Sequence, residues 1–404
     1  MSSLSEDVNL VFRSMRRTSV IAVTASLLAF AAHAQKANPC VGASGPLTGA
    51  AAFGGEAIRM GAEVAIDEIN ASGGVLGQKL SLKLYDDGGQ PPKGADNVRR
   101  IALSDNCVAM LGGYHSGVQL AMRGPIAEAG IPYVGTTAGG TAIIEHEDGK
   151  NKWMFRVSAK DRWVAQFLVE HAVTRSKNKK VAILYENTGW GNGGMPDVEA
   201  ALKAKGLTLA AKETFNWNDV DMTPQLIRVR DTGADTVIFW ALDREGNQLL
   251  RGMDKIGWRP ATMVSAWGMA GNLGEIAGKL ANGVLVFQTY SWMGKLDTRG
   301  EAIWKKIQAK YGLKSPEEIR MGSAVANSYD AVYIIARAIE KAGAYDRDKL
   351  REAMYQVRYD GLVGKYEPAF EKTQERHDGV LQRNYKLTAW HEGKLLPLAD
   401  TPYK

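Results

Sequence analysis

Apolar residues repeat along the chain with two different periods. Short runs that are alternating or continuously apolar, typical of buried strands, are separated by longer stretches in which apolar residues recur every three to four positions, typical of amphipathic helices. Residues 56–70 carry such a stripe, which includes Ile58, Ala62 and Ile66, and they end in Ala-Ser-Gly-Gly, a common helix exit. Leucines alternate over residues 80–84, which predicts the strand that follows.

Strands and helices alternate in two sets, which predicts a doubly wound α/β fold with parallel sheets flanked by helices. A helical pattern at 320–342 is interpreted as completing the first set. The predicted strands of the first set are 40–44, 80–84, 108–111 and 131–134, and its helices are 56–70, 93–103 and 119–129. In the second set the strands are 181–185, 208–215, 236–240 and 262–265, and the helices are 163–174, 196–205, 224–231 and 246–256.

The first 34 residues are typical of a secretory signal peptide. Three arginines at positions 13, 16 and 17 precede an apolar run at 20–32 that is too short to span a bilayer, and Ala32-His33-Ala34 fits a cleavage site. We expect cleavage after Ala34 and a periplasmic protein; a retained membrane anchor is the alternative. Removal of 34 residues from 404 leaves 370, a length that suggests two domains.

Composition and charge narrow the classes of partner. The chain is 45% hydrophobic and 23% charged, and its formal net charge of +6 is small for its length. The basic run at 177–180 is short and precedes a strand, so we interpret it as a solvated loop. Nucleic acid is therefore not expected as a partner.

Two cysteines remain for an exported chain, Cys40 and Cys107. Both lie at or near the start of strands that would be neighbours in a doubly wound sheet, so a disulfide is possible in an oxidising compartment. Two buried free thiols are the alternative, and the sequence does not decide between them.

Loops rich in small residues follow three predicted strands, at 44–54, 112–117 and 135–140. Ligands of open parallel sheets bind at such loops, where exposed N–H groups and helix N-termini favour an anion, and Ser116 and Thr137 can add hydroxyl donors. The alternative is that the small residues only form tight turns and contact no ligand. The first loop, VGASGPLTGAAAFGG, lacks a G-x-x-x-x-G-K-[ST] pattern, so a nucleotide is not expected.

The run GASGPLTGAAAFGGEAIRMGAEVAIDEINASGGVLGQKLSLKLYDD resembles the opening of the Leu/Ile/Val-type solute-binding proteins of ABC transporters. The similarity continues through GIPYVGTTAG, VAILYENTGWGNGG and GVLVFQTYSW, so it covers nearly the whole mature chain. It implies two Rossmann-like lobes joined by three crossing segments at a hinge, near 156–158, 287–289 and 368–370, with a ligand cleft between the lobes. The expected N-terminal lobe is 35–157 plus 289–369, and the C-terminal lobe is 158–288 plus 370–404.

The resemblance also implies where a ligand lies. Ser116, Thr137 and Gly139, with Ala138 between the last two, occupy positions that hold the ligand carboxylate in that family. Phe53 is expected to face the ligand from the first loop. The opposite wall is expected to contain Trp190, Leu242, Asp243 and Trp267, because tryptophans follow three strand ends of the second set.

Position 267 departs from the family pattern. In amino-acid-binding members a glutamate in this loop pairs with the ligand ammonium group, whereas this chain has Trp267. A buried ammonium without a charged partner costs several kcal/mol. Three readings remain open: Asp243, Glu245 or Asp161 provides the pairing, the ligand is an aromatic or aliphatic carboxylate without an ammonium group, or Trp267 makes a cation–π contact.

No set of catalytic groups is evident. A G-x-S-x-G motif is missing, and His115 beside Ser116 is a weak nucleophile–base candidate because adjacent residues on a turn usually point apart. The histidines are scattered, so neither a metal nor a cofactor is expected, and Asp86-Asp87 is interpreted as solvated surface. We therefore expect a monomeric, non-enzymatic binding protein that delivers a small carboxylate to an ABC permease. A periplasmic sensor for a signalling partner and an exported α/β enzyme are the alternatives.

Overall fold

The structure is a computed structural model that describes residues 38–146, 149–372 and 376–404. The predicted signal peptide lies outside the described residues, so cleavage after Ala34 stays a prediction. Among the residues described, no helix has both the length and the apolar composition needed to cross a membrane.

The elements of the first sheet and its flanking helices run β1 (Cys40–Gly45), α1 (Ala52–Ala71), β2 (Ser81–Asp86), α2 (Pro91–Arg99), β3 (Ala109–Gly112), α3 (Ser116–Ala129), β4 (Tyr133–Gly135), α4 (Thr141–Ile144), the small hairpin β5 (Glu145–His146) and β6 (Gly149–Lys150), and β7 (Met154–Arg156). The sheet is parallel, with the order β2-β1-β3-β4-β7.

The elements of the second sheet and its flanking helices are α5 (Asp161–Arg175), β8 (Val181–Glu186), α6 (Gly191–Lys203), β9 (Ala211–Phe215), α7 (Thr223–Asp231), β10 (Thr236–Trp240), α8 (Asp243–Lys255), β11 (Thr262–Ser265), α9 (Leu273–Ala277), β12 (Val284–Gln288), then β15 (Lys386–His391) and β16 (Lys394–Pro397). The sheet has the order β16-β15-β12-β11-β10-β8-β9, and it is parallel except for β15 and β16, which pair antiparallel. The doubly wound α/β prediction is confirmed for both sets.

Between β12 and β15 the chain returns to the first sheet. It forms α10 (Thr298–Tyr311), α11 (Gly322–Ala342), α12 (Arg347–Met354) and the hairpin β13 (Tyr359–Asp360) and β14 (Lys365–Tyr366). The helix α11 packs along α1, as predicted for the pattern at 320–342. The two helices approach closely because α1 has Gly61, where an added Cβ would lie 2.1 Å from the carbonyl oxygen of Val325.

We call the first sheet with its helices the first lobe, and the second sheet with its helices the second lobe. A buried ion pair lies where the chain passes between them: Arg156, at the end of β7, contacts Asp378. The backbone of Arg156 also pairs with the residues on both sides of Asp378, through bonds of 2.8 Å to His377 and 2.7 Å from Gly379. The boundaries 35–157 plus 289–369 and 158–288 plus 370–404 stay a prediction.

Two features of the first lobe, a disulfide and a buried carboxyl group, become clear only from the fold. Cys40 and Cys107 are joined by a disulfide, because β1 and β3 are hydrogen-bonded neighbours. The interpretation of Asp87 as solvated surface is wrong: its side chain is buried, and the Ser44 hydroxyl donates a 3.0 Å hydrogen bond to it. Burial raises the pKa of Asp87, which sits behind the glycine-rich turn that follows β1.

Candidate ligand-binding site

A cavity of about 190 Å³ lies at the carboxyl ends of the parallel strands of both sheets. The first lobe contributes loops that follow β2, β3 and β4, and the second lobe contributes loops that follow β8, β9, β10 and β11. In both sheets the strand order reverses nearby, at β1/β3 and at β8/β10. Ligands of open α/β sheets bind at such switch points.

The structure brings seven of the nine predicted site residues together around this cavity, and they come from both lobes. These seven are Ser116, Thr137, Ala138, Gly139, Trp190, Leu242 and Trp267.

Phe53 and Asp243 line a neighbouring pocket of about 450 Å³ instead. Phe53 packs edge-to-face against Tyr114, with the ring centroids 6.2 Å apart, and Tyr114 takes the expected place of Phe53 in the cavity lining. The two pockets adjoin, since both are lined by His115, Trp217 and Leu242.

The part of the cavity wall that the first lobe forms contains hydroxyl and backbone N–H groups that are available to donate hydrogen bonds to a ligand. The hydroxyl groups of Thr137 and Tyr114 are buried, and neither has a hydrogen-bond partner among the described residues. Ser116 begins α3, so the first backbone N–H groups of this helix lack intrahelical partners. The Ser116 hydroxyl oxygen accepts a 3.2 Å hydrogen bond from the backbone of Gly140, which fixes the loop after β4 against the start of α3.

The same loop is held from behind by Arg156. Its guanidinium donates hydrogen bonds of 2.7 and 2.9 Å to the carbonyl oxygens of Gly139 and Gly140. Because Arg156 also pairs with Asp378, the segment that connects the lobes and the loop that lines the cavity form one polar network.

The wall from the second lobe is aromatic. Trp190 and Trp267 are both buried, and Trp217 completes the surface. Trp190 lies against backbone, because an added Cβ on Gly268 would lie 2.7 Å from its ring. Its indole N–H makes no hydrogen bond to the described residues, although it lies near the Asp161 carboxyl group and opposes the rise in pKa that burial causes there.

None of the three acids considered as ammonium partners lines the cavity. Asp243 accepts hydrogen bonds from the backbone N–H groups of Gly271 and Leu273, at 3.1 and 3.0 Å, and burial raises its pKa to about 7. Glu245 lines the neighbouring pocket. Asp161 is buried behind the loop after β4, and burial raises its pKa well above the usual range.

A carboxyl group that sequence reasoning did not assign, Glu186, does line the cavity. It ends β8 and is 2% exposed. Its two oxygens accept hydrogen bonds from the Thr188 hydroxyl and, at 3.1 Å, from the Trp217 indole. Burial raises the pKa of Glu186 to about 7. The available signal was an acid at the end of a buried strand, directly before the Gly-rich turn of YENTGWGNGG.

Direct contacts between the two lobes occur beside the cavity. The hydroxyl of Thr141 in the first lobe donates a 2.7 Å hydrogen bond to Asp197 in the second. Backbones also meet, since an added Cβ on Gly189 would lie 3.1 Å from the Cα of Gly117. A ligand in this cavity would therefore be enclosed by both lobes.

His115 and Ser116 do not form a nucleophile–base pair in this structure. The Nδ1 atom of His115 has no hydrogen-bond partner within the described ranges, and burial lowers the pKa of the ring to about 4. The ring packs against Tyr114 and Trp217 instead. In the described part of the chain, no group of three or more His, Cys, Asp or Glu residues is arranged to hold a metal ion.

Comparison with solved structures shows the same fold. A periplasmic binding protein type 1 from Bordetella pertussis superposes with a TM-score of 0.81 at 24% identity, covering 89% of this chain and all of that one. A substrate-binding protein from Streptococcus pneumoniae in complex with isoleucine has a TM-score of 0.75 at 20% identity, covering 89% and 97%. A solute-binding protein from R. palustris in complex with 4-hydroxybenzoate has a TM-score of 0.76 at 19% identity, covering 89% and 95%.

Sequence comparison extends the likeness over almost the whole chain. The Leu/Ile/Val-binding protein homolog 3 of Brucella melitensis is 27% identical over 369 residues, which cover 91% of this chain and 95% of that protein. The sequence profile of the family described as periplasmic binding protein matches residues 40–394. Because that match spans both sheets and the cavity between them, the chain belongs to the periplasmic binding protein family.

Proposed function

We propose that this protein is the extracytoplasmic solute-binding component of an ABC importer and that it captures a small carboxylic acid by closure of its lobes. The similar protein from S. pneumoniae is described as part of a branched-chain amino acid transporter, and the one from R. palustris as part of an ABC transporter. The predicted signal peptide supports a periplasmic location. Closure around the ligand would give a membrane permease a surface that differs from that of the empty protein.

The buried hydroxyl groups of Thr137 and Tyr114, which line the cavity without a hydrogen-bond partner among the described residues, carry this proposal. A buried donor left unsatisfied costs about 1–3 kcal/mol. A ligand carboxylate would accept from these groups and from the N–H groups at the start of α3, where the helix dipole also favours an anion. Lysine and arginine side chains are missing from the described lining, so neutral donors would have to hold the anion.

The rest of the lining supports an apolar ligand body. The indoles of Trp190, Trp217 and Trp267 offer flat surfaces to an aromatic ring or a branched aliphatic chain. Position 267, where the related amino-acid-binding proteins are expected to have a glutamate, offers only an apolar ring here. We therefore include carboxylic acids without an ammonium group beside branched-chain amino acids as candidate ligands.

The test is a binding titration of the chain from Gln35 with leucine, valine, benzoate, 4-hydroxybenzoate and 4-methylpentanoate. A ligand at 100 times its Kd stabilises the folded protein by about 2.7 kcal/mol, which a thermal shift detects. Thr137→Val should raise Kd about tenfold for the acid that binds. Thr136→Val is the matched control, because its hydroxyl is also buried without a partner in the described structure but does not line the cavity.

Two results would contradict the proposal. If none of these acids binds the wild-type protein, the small-carboxylate assignment is wrong. If the bound acid is recovered chemically changed, the protein is an enzyme and the importer role fails.

A further inference from the structure

We propose that Glu186 selects the ligand by accepting a hydrogen bond from a donor group, a hydroxyl or an ammonium, on an acid whose carboxylate meets Thr137 on the opposite wall. This inference rests on the proposed function. It names the second polar group of the ligand and the residue that recognises it.

The position of Glu186 supports this role. Among the described residues it is the one carboxyl group in the cavity lining, and it belongs to the second lobe, whereas Thr137 belongs to the first. The other acids nearby are already engaged or lie elsewhere. Asp243 holds the backbone at the start of α9, and Glu245 accepts a 3.2 Å hydrogen bond from the backbone of Asn218 in the neighbouring pocket.

The hydrogen bonds of Glu186 hold its carboxyl group in place and leave some of its acceptor sites unused. A carboxylate offers about four lone-pair sites over its two oxygens. Thr188 and Trp217 each donate one hydrogen bond, one to each oxygen. Both donors also line the cavity, so the carboxyl group is fixed at the cavity surface with acceptor capacity left for a ligand.

Burial makes this unused capacity consequential. Glu186 is 2% exposed, so little water can reach its oxygens once the lobes are closed. An acid with a correctly placed donor gains a charge-assisted hydrogen bond there. An acid without one sets its own carboxylate in the same small cavity as a second acidic group, so its binding requires Glu186 to take up a proton.

The two sources of the donor make different demands on Glu186. An ammonium group needs a negative partner in a buried site, so loss of the charge should be severe even when the shape is kept. A hydroxyl group needs only an acceptor, which a glutamine side chain can supply through its carbonyl oxygen. The isosteric variant therefore separates the two sources.

The experiment measures Kd by calorimetry for wild type, Glu186→Leu and Glu186→Gln. The probes are leucine and phenylalanine, which carry an ammonium group, 4-hydroxybenzoate, which carries a hydroxyl, and benzoate and 4-methylpentanoate, which carry neither. We expect Glu186→Leu to weaken at least one donor-bearing acid more than tenfold while the donor-free acids change less than threefold or bind more tightly. A loss of more than about tenfold in Glu186→Gln then identifies an ammonium, and a smaller loss identifies a hydroxyl.

Asp330→Asn is the control variant. Asp330 is also a fully buried carboxyl group, but it accepts hydrogen bonds from the backbone of Leu362 and Val363 in the first lobe, away from the cavity. It should leave every Kd unchanged, which separates selectivity from general loss of a buried acid. Circular dichroism of each variant before titration confirms that the protein tested is folded.

Other outcomes overturn the inference. If Glu186→Leu weakens donor-bearing and donor-free acids equally, Glu186 is a structural residue of the cavity. If it changes neither class, or if only donor-free acids bind wild type, Glu186 makes no contact with the ligand and the proposed function stands without it. If no acid binds wild type, the proposed function fails and this inference fails with it.

Discussion

The imidazole ring of His115 and the indole ring of Trp217 lie 5.1 Å apart between centroids, and they come from opposite lobes. His115 precedes α3 in the first lobe, and Trp217 follows β9 in the second. Both rings line the cavity and the neighbouring pocket. The pair therefore lies where the two spaces adjoin, and it brings the two lobes into contact there.

His115 should make ligand binding sensitive to acid. Burial in the closed state lowers the pKa of the ring to about 4, whereas opening would expose it and restore a value of about 6.5. Protonation then favours the open state as pH falls from about 6.5 to about 4. The ratio of the wild-type Kd to that of His115→Gln should rise about tenfold from pH 7.5 to pH 5.5.

The comparison with His115→Gln matters because Glu186 acts in the opposite direction. Its raised pKa means that closure takes up a proton at that site, and Glu245 adds a repulsive charge nearby. Both effects cancel in the ratio of the Kd values of wild type and His115→Gln, because both proteins contain Glu186 and Glu245. A ratio that stays constant over this range of pH would show that His115 does not change its exposure on closure.

The ring of Trp190, rather than its indole N–H, should contribute to ligand affinity. Trp190→Phe keeps an aromatic ring and removes an N–H that lies beside Asp161, which does not line the cavity, so we expect Kd to change less than about threefold. Trp240→Phe is the matched control: that indole N–H is also buried without a partner in the described structure, its ring centroid lies 5.6 Å from that of Trp190, and it does not line the cavity. A rise in Kd of tenfold or more in Trp190→Phe alone would show that the N–H contacts the ligand.

The hydrogen bond between Thr141 and Asp197 should stabilise the closed state. It joins the lobes outside the cavity lining, so Thr141→Val should weaken all ligands by the same factor, about tenfold, mainly through faster dissociation. Stopped-flow measurement of tryptophan fluorescence gives the dissociation rate. Thr223 is a threonine of the second lobe whose hydroxyl group is buried without a hydrogen-bond partner among the described residues. Thr223→Val should leave that rate unchanged, and a similar acceleration there would refute the assignment.

The disulfide should stabilise the protein without affecting binding. It closes a loop with a sequence separation of 67, and loop-closure entropy gives it a contribution of about 4 kcal/mol or less. The bridge lies at the start of β1 and β3, whereas the cavity lies at their carboxyl ends. Replacing Cys40 and Cys107 by alanine should lower the free energy of unfolding in urea and leave Kd within twofold. A large change in Kd would mean that the bridge also shapes the loops.

Glu186 should make stability depend on pH in a defined window. Burial raises its pKa from about 4.5 to about 7, so the folded protein holds a proton that the unfolded chain has lost. The stability of wild type relative to Glu186→Gln should therefore fall as pH rises from about 4.5 to about 7, by about 3 kcal/mol. Urea unfolding of both proteins at four pH values measures this difference, in the presence of a saturating donor-free acid that keeps the lobes closed. A flat difference would show that the carboxyl group stays solvated in the closed protein.

The strands and the long helices could be predicted because a buried face requires apolar residues at regular positions along the sequence. The strand Thr236–Trp240 has the predicted bounds, since a fully buried parallel strand is a nearly continuous apolar run, and the shorter strand Thr262–Ser265 also has the predicted bounds. Helices at the cavity begin earlier than predicted: α3 at Ser116 rather than 119, and α8 at Asp243 rather than 246. Their first turns carry small or polar residues that face the cavity side of the sheet, so the apolar stripe starts later than the helix.

The sequence by itself determined the alternation of strands and helices and the Gly-rich turns at the strand ends, because these follow from local periodicity and from turn chemistry. Seven of the cavity residues were also predicted from it, by the resemblance to the Leu/Ile/Val-type solute-binding proteins together with the rule that parallel sheets bind at their carboxyl ends. Only the tertiary structure decided that Trp217 meets His115 across the lobes and that Glu186, rather than Asp243, lines the cavity. Glu186 ends a buried strand and Asp243 follows one, so their sequence contexts are alike. Which of the two lines the cavity depends on the direction of the loop after each strand and on hydrogen bonds from the carboxyl group to distant backbone, and neither can be read from the local sequence.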